Sequence, residues 1–477
     1  MNSQRSFRFR RALGALLAAG VLVSGIQPAT AAAEQATTQP PLLSQAPQIP
    51  SPSHAGFGSL ADATPLSAVS PGEPFRSPQR FSGTPVTSEL NIPGVDAAGQ
   101  LLPGGESQWP TETGKLMAET PLDPAIGLNS AGQQIRFAYS TTGAHGLTPS
   151  TGALFLPKGT PPQGGWPVLA WAHGTVGLGD KCTPSMNPRS PRDQEYLNHW
   201  LEQGYAIVAS DYAGQGTPGL MSYLNGQVTA ANVVDSVIAA HELTANAPNS
   251  DGLGEPALSR SWAVIGQSQG GGAALHVAHE ATERSQPAGL DYRGAVATGA
   301  PAYIEEIVLA AGPTFPPVPL PAGLNSYSAY IIAAFREAHP EVDVDSALTQ
   351  EGKALVEATS TACYPELAEA VKGSNVARAF AKPLRDVPGL EPALRDYMQT
   401  PTDGYDRPVF LGHGLKDMDV PTPIGMSLNS EMWLRQFLDA DGSRNARVDV
   451  HWYPTDHSGT VAQSQADSTP FLKSIFS

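Results

Sequence analysis

Apolar residues along this chain fall into short runs separated by stretches of helical spacing. Trp166–Ala172, Tyr205–Ser210, Trp262–Ile265, Gly294–Thr298, Val409–Gly412 and Val448–Trp452 read as buried strands. Gln134–Ser140 and Gly152–Leu156 read as paired strands, stopped by Pro157-Lys158-Gly159, and short strands are expected near Ser88–Ile92. Asp193–Glu202 has helical spacing, and Thr229–Leu243 sets Val233, Val234, Val237, Ile238 and His241 in one apolar register. Strands alternating with helices predict an α/β fold, with a mostly parallel sheet covered by helices on both faces. The alternation breaks between Ala300 and about Thr400, where Pro313–Pro321 precedes the apolar helix candidate Ser326–Ala338 and further helical pieces reach Met398. An insertion of this kind, residues 301–400, predicts a helical cap placed before the next sheet strand. A helix over Glu431–Leu438 is expected between the last two strands.

The ends of the pattern divide the chain. Arg5, Arg8, Arg10 and Arg11 precede an apolar run of 14 residues, Ala12–Gly25, and small residues follow at Ala29–Ala33. A membrane span needs about 20 apolar residues, so residues 1–31 read as a secretory signal peptide with an A-x-A-like cleavage site. Residues 32–110 are rich in Pro, Ser, Ala, Thr and Gly and read as a linker or N-terminal arm; residues 111–477 form the expected catalytic domain. The formal net charge is −16, and removing the four arginines makes the mature chain more acidic still, which disfavours nucleic acid and anionic membranes as partners. Only Cys182 and Cys363 are present, and in an oxidising compartment they read as one disulfide. No Cys/His cluster has zinc-site spacing, and no metal or cofactor is expected.

The chemistry centres on Gly266-Gln267-Ser268-Gln269-Gly270, which follows a strand and opens an Ala-rich helical stretch. Strand, sharp turn and helix in this order form the nucleophile elbow of α/β-hydrolases. The turn strains Ser268, so its neighbours two residues away must lack side chains, and Gly266 and Gly270 meet that need. Phosphate-binding glycine motifs of either common type are absent.

A serine hydroxyl becomes nucleophilic when a histidine takes its proton and an acid orients that histidine. Behind the strand at Val409 comes His413-Gly-Leu-Lys-Asp417-Met-Asp419, and behind the strand at Val448 comes Asp456-His457. Both loops follow the elbow in the order such folds require. His457 is the expected base: His451 lies within a strand, His413 supports the acid's turn, and His276 and His279 lie on the elbow helix. Asp417 is the expected acid, with Asp419 the alternative; Asp456 adjoins the histidine and cannot turn back to it. The expected oxyanion donors are the backbone N–H of Gln269 and, from the loop opened by His173-Gly174, that of Thr175, with Val176 second.

These pieces resemble the secretory lipase family, the lipase A-like α/β-hydrolases. The resemblance rests on His173–Pro184, Ser210–Pro218, the elbow, His413–Asp417 and Asp456–Thr460. It implies an extracellular carboxylic ester hydrolase, lipase or esterase, with a helical cap and no metal. Nucleophile, acid and base carry over as Ser268, Asp417 and His457. It implies small-molecule or lipid ester substrates, with transient contact at a lipid interface. Gln267 stands where such proteins often have His or Tyr, which bears on substrate preference. The cysteine pair also resembles the family's, and a bond would tie the cap to the loop after His173. A secreted serine peptidase of the prolyl or tripeptidyl type shares the triad but needs an anchor for the substrate amine. A non-catalytic binding protein on the same fold is the third reading.

Overall fold

The computed structural model describes residues 90–246, 256–315, 321–438 and 445–477. The signal-peptide expectation and most of the 32–110 arm lie outside these residues. Within the arm, residues 90–110 make turns, a bridge between Val95 and Leu101, and a bond from Trp109 Nε1 to the Pro93 carbonyl at 2.9 Å. The strand expected near Ser88–Ile92 is not formed over 90–92.

The strands are β1 Leu116–Pro121, β2 Ala131–Gly143, β3 Gly146–Pro157, β4 Trp166–Ala172, β5 Ala206–Ser210, β6 Leu258–Gln267, β7 Asp291–Thr298, β8 Val409–Gly414 and β9 Val448–Tyr453. They join in one sheet, ordered β1-β2-β3-β5-β4-β6-β7-β8-β9. β1, β2 and β3 pair antiparallel with their neighbours, and β5, β4, β6, β7, β8 and β9 run parallel. The residue types explain the split. β2 and β3 are joined by a tight turn at Gly143–Gly146 that only an antiparallel pair can use. β4 to β8 are short apolar runs buried on both faces, as a helix-covered parallel sheet demands.

The helices are α1 Pro191–Glu202, α2 Gly226–Asn246, α3 Gln269–Ser285, α4 Ile304–Ala310, α5 Ala322–Ala338, α6 Gln350–Thr359, α7 Tyr364–Ala370, α8 Leu390–Met398, α9 Thr422–Arg435 and α10 His457–Phe476. α1 starts at Ser190, whose Oγ accepts from the Asp193 amide at 3.2 Å, with Pro191 at the first helical position. α1 and α10 cover one face of the sheet, where Trp200, Leu472 and Phe471 meet Trp171, Ile265 and Phe410. Burying one such side chain contributes about 1.5–3 kcal/mol. α2 and α3 pack together, and α3 lies against β6 and β7. Among the described residues, α4 to α8 all fall between β7 and β8, so the 301–400 stretch is helical as its pattern predicted.

Two differences from the sequence expectation have physical reasons. The helix expected at Glu431–Leu438 instead spans Thr422–Arg435, because Pro421-Thr422-Pro423 supplies a helix start directly after the acid's turn. Trp433 and Leu434 near its end, and Phe437 and Leu438 beyond it, are exposed, so their spacing did not mark a core face. The final helix α10 was not foreseen: its polar run and internal Pro470 hide an N-terminus that Asp456 caps by accepting from the Gly459 amide at 2.8 Å.

Candidate active site

The loops that follow β4, β6, β8 and β9 converge at the carboxyl ends of those strands. β4 lies between β5 and β6, so the chain turns in opposite directions along the sheet on either side of it, the crevice where open α/β sheets bind ligands.

Ser268 sits between β6 and α3 with φ 60° and ψ −125°, a conformation that costs a non-glycine residue of order 1–3 kcal/mol. The surroundings enforce it. A side chain on Gly266 would run into the Gly270 carbonyl, one on Gly270 into the Ala172 carbonyl, and one on Gly271 would stand 2.6 Å from the Thr298 carbonyl. The Ser268 amide donates to Thr298 at 2.9 Å, pinning the turn to β7. Ser268 is half-exposed at the N-terminus of α3, where the first helical amides lack intrahelical partners and the helix dipole favours negative charge. Gln269 supplies the first of those amides.

The loop after β4 passes beside the serine. A Cβ on Gly174 would lie 3.3 Å from the Gln267 carbonyl oxygen and 3.7 Å from Ser268 Cβ, so the loop runs against the elbow. His173 is buried and serves its own loop. Its Nδ1 is 2.7 Å from the Gly174 carbonyl and its Nε2 is 3.3 Å from the Asp211 carbonyl. Burial lowers its pKa, so it is neutral and has one N–H, which the shorter contact assigns to Nδ1. The Thr175 hydroxyl is paired with Tyr223 OH at 2.6 Å.

Asp417 and His457 meet at the ends of β8 and β9. His457 Nδ1 lies 2.6 Å from Asp417 Oδ2, both side chains buried. Asp417 Oδ1 accepts from the amides of Asp419 at 3.0 Å and Val420 at 2.8 Å. With Nδ1 donating to a carboxylate, Nε2 holds the imidazole lone pair; it is buried and has no hydrogen-bond partner among the described residues, Ser268 included. The imidazole packs on Gly299, whose amide donates to Gly412 at 2.9 Å. His413 braces the turn from Asp417 to Val420 through its Nε2, 3.1 Å from the Val420 carbonyl, and burial lowers its pKa.

Each expected site residue therefore has a definite place. Ser268, Gln269 and the Thr175 loop share the elbow, and His457 takes Asp417 rather than Asp419. His451 stacks on Phe410 with centroids 4.6 Å apart, and His279 lies edge-on to Tyr405. Asp417, Asp419 and His457 bring ligand-type atoms within 4.8 Å of one another. The closest of these contacts is the hydrogen bond from His457 Nδ1 to Asp417 Oδ2 at 2.6 Å, and two amides occupy the other Asp417 oxygen, a donor set suited to imidazole rather than a cation. Cys182 and Cys363 are bonded, with Cα atoms 5.5 Å apart, joining the loop after β4 to the start of α7.

Three residues beside the site make contacts that the sequence did not announce. Gln267 is buried, and its Nε2 donates to the His457 carbonyl at 3.4 Å. Tyr327 reaches from the cap to Asp419, and its hydroxyl lies 3.3 Å from that of Tyr364. Gln267 stands out in the sequence as the residue before Ser268 in the glycine motif, though its partner does not; nothing local signals the other two.

No protein-family model matches the sequence, and no curated protein does. Solved structures match over most of the chain. Candida antarctica lipase A in its closed state superposes with a TM-score of 0.60 at 17% identity, over 80% of this chain and 85% of that one. The rice cell wall degrading esterase LipA from Xanthomonas oryzae gives a TM-score of 0.56 at 18% identity, over 76% of this chain and 96% of that one. This is an α/β-hydrolase fold. The α/β-hydrolase sheet here carries three antiparallel strands at one edge, and its cap enters between β7 and β8, as the sequence predicted.

Proposed function

We propose that this protein is a secreted serine carboxylic ester hydrolase. The observation that carries the proposal is the buried His457–Asp417 pair, 2.6 Å apart, at the same end of the sheet as the strained Ser268 elbow. Ser268 Oγ attacks the ester carbonyl while His457 Nε2 takes its proton, and Asp417 holds the imidazole in the tautomer that leaves Nε2 basic. The carbonyl oxygen becomes an oxyanion received by the backbone N–H groups of Gln269 and Thr175. Collapse expels the alcohol with the proton from His457 and leaves an acyl group on Ser268. Water, deprotonated by His457, then attacks the acyl-enzyme and releases the acid.

The names of the similar structures, a lipase and an esterase, support ester substrates. The basic–apolar–small pattern of residues 1–31 and the Cys182–Cys363 bond support export. The test is hydrolysis of p-nitrophenyl esters from acetate to palmitate and of an emulsified triglyceride, with Ser268→Ala as control. Turnover that the variant loses, together with labelling of Ser268 by a fluorophosphonate, is the expected result. Equal rates in both proteins, or no turnover and no labelling in either, would reject the proposal.

A further inference from the structure

The mechanism leaves one carboxylate beside the base without a task. Asp419 does not orient His457, since Nδ1 belongs to Asp417, yet its carboxylate lies within 4.8 Å of the imidazole. Its backbone is fixed by the bond from its own amide to Asp417 Oδ1 at 3.0 Å. Asp419 Oδ1 accepts from Tyr327 OH at 3.3 Å, and Tyr327 OH in turn lies 3.3 Å from Tyr364 OH. The two rings stack, with centroids 5.6 Å apart and planes 13° from parallel. All three oxygens converge on the backbone of Gly323 in α5, where a Cβ would stand 2.9 Å from Asp419 Oδ1 and 3.0 Å from Tyr364 OH. Tyr364 is also anchored to the loop after β4, its amide donating to the Val176 carbonyl at 2.8 Å. The cluster therefore stands between the base and the oxyanion loop, under the cap. Asp419, Tyr327 and Tyr364 are each partly buried, and Asp419 Oδ2 receives no hydrogen bond among the described residues.

We propose that Asp419, with Tyr327 and Tyr364, forms a subsite for the alcohol half of the ester and selects alcohols that carry a further hydroxyl close to the ester oxygen. This rests on the ester-hydrolase reading. His457 hands its proton to the leaving oxygen, so that oxygen lies against the imidazole. Groups on the carbons next to it then come within reach of Asp419, whose carboxylate lies within 4.8 Å of an imidazole nitrogen. An ionised carboxylate oxygen only accepts hydrogen bonds, whereas tyrosine hydroxyls can donate or accept. A neutral hydroxyl donates to Asp419 Oδ2 and can accept from a tyrosine. An alkyl group leaves the carboxylate unpaired, and an anionic alcohol is repelled by it.

The test compares three butyrate esters with one acyl group: 2,3-dihydroxypropyl, ethyl and choline. It uses wild type, Asp419→Ala and Gly323→Ala. The expected result is a wild-type kcat/KM at least about tenfold higher for the dihydroxypropyl than for the ethyl ester, the span of one hydrogen bond to a charged group. That ratio falls towards one in Asp419→Ala and declines in Gly323→Ala, chiefly through KM. Fluorophosphonate labelling of Ser268 in each variant shows that the site is folded. A change in His457 alone slows both esters alike and leaves the ratio intact, and that outcome would overturn the subsite. So would a wild type that does not prefer the dihydroxypropyl ester, or one that prefers the choline ester, which would assign the carboxylate to charge pairing instead. No hydrolysis of any of the three, with Ser268 unlabelled, would reject the ester-hydrolase reading itself.

Discussion

Cys363→Ser tests how the cap is held over the site. The bond closes a loop of sequence separation 181. In the chain-entropy model, releasing a loop of that length from the unfolded state costs about 5 kcal/mol of stability, an upper value. With an unfolding entropy of roughly 2.1 cal/mol/K per residue, a domain of this size loses about 6 °C in Tm. The catalytic geometry is less exposed to the change, because other links join the same two segments. Gly177 and Cys363 form a β-bridge, the Tyr364 amide donates to Val176 at 2.8 Å, and Lys181 Nζ lies 2.7 Å from Glu366 Oε2. These keep Thr175 beside the elbow at low temperature. The assay pairs thermal melting with initial rates over the ester series at 20–25 °C, and thiol titration in denaturant reports the bond. The variant is expected to show one thiol, a Tm lower by several degrees, and a chain-length profile within about twofold of wild type. An unchanged Tm, with one thiol in the variant and none in wild type, would refute the reasoning. A collapsed profile at full stability would show that the bond acts on catalysis instead.

Two further outcomes follow from the geometry. Asp417→Asn leaves an amide on His457 Nδ1 and removes the tautomer preference, so kcat should fall by about 10³–10⁴ with KM little changed; a loss under tenfold would return the acid's role to Asp419. Burial pushes His241 and His276 down to about 4, so the unfolded chain binds protons that the folded chain refuses below the ordinary histidine value of about 6.5. Their stabilisation is complete above that value and is lost as pH falls towards 4, by up to roughly 3 kcal/mol for each. Asp235, raised to about 6 by burial, works in the opposite direction, its contribution fading as pH rises from the ordinary carboxylate value through 6. Melting at pH 4.5 and 7.5 should show wild type losing more on acidification than His276→Gln, and equal losses would remove His276 from the account.

Much of this protein could be read along the chain because its determinants are local. The runs at Val168–Ala172, Ala206–Ala209 and Trp262–Gly266 are too apolar to lie anywhere but inside a covered sheet, and their spacing with α1, α2 and α3 dictates parallel connections. The elbow was legible because its strain demands glycines at fixed offsets, and the His457–Asp417 pair, proposed as base and acid, because each partner stands on a loop just past a strand. What the chain could not announce depends on contacts between distant segments. Asp417 and Asp419 are two residues apart on one loop, and only the packing of α10 against β8 decides which carboxylate meets His457 Nδ1. The side chain of Gln267 bonds to a carbonyl 190 positions away. Tyr327 and Tyr364 come from cap helices whose sequence carries no catalytic pattern, and Tyr327 reaches Asp419 only when the cap folds over the sheet. Local sterics and hydrophobic periodicity determined the scaffold and the residue types of the site; the close packing of remote segments decided which of those residues meet.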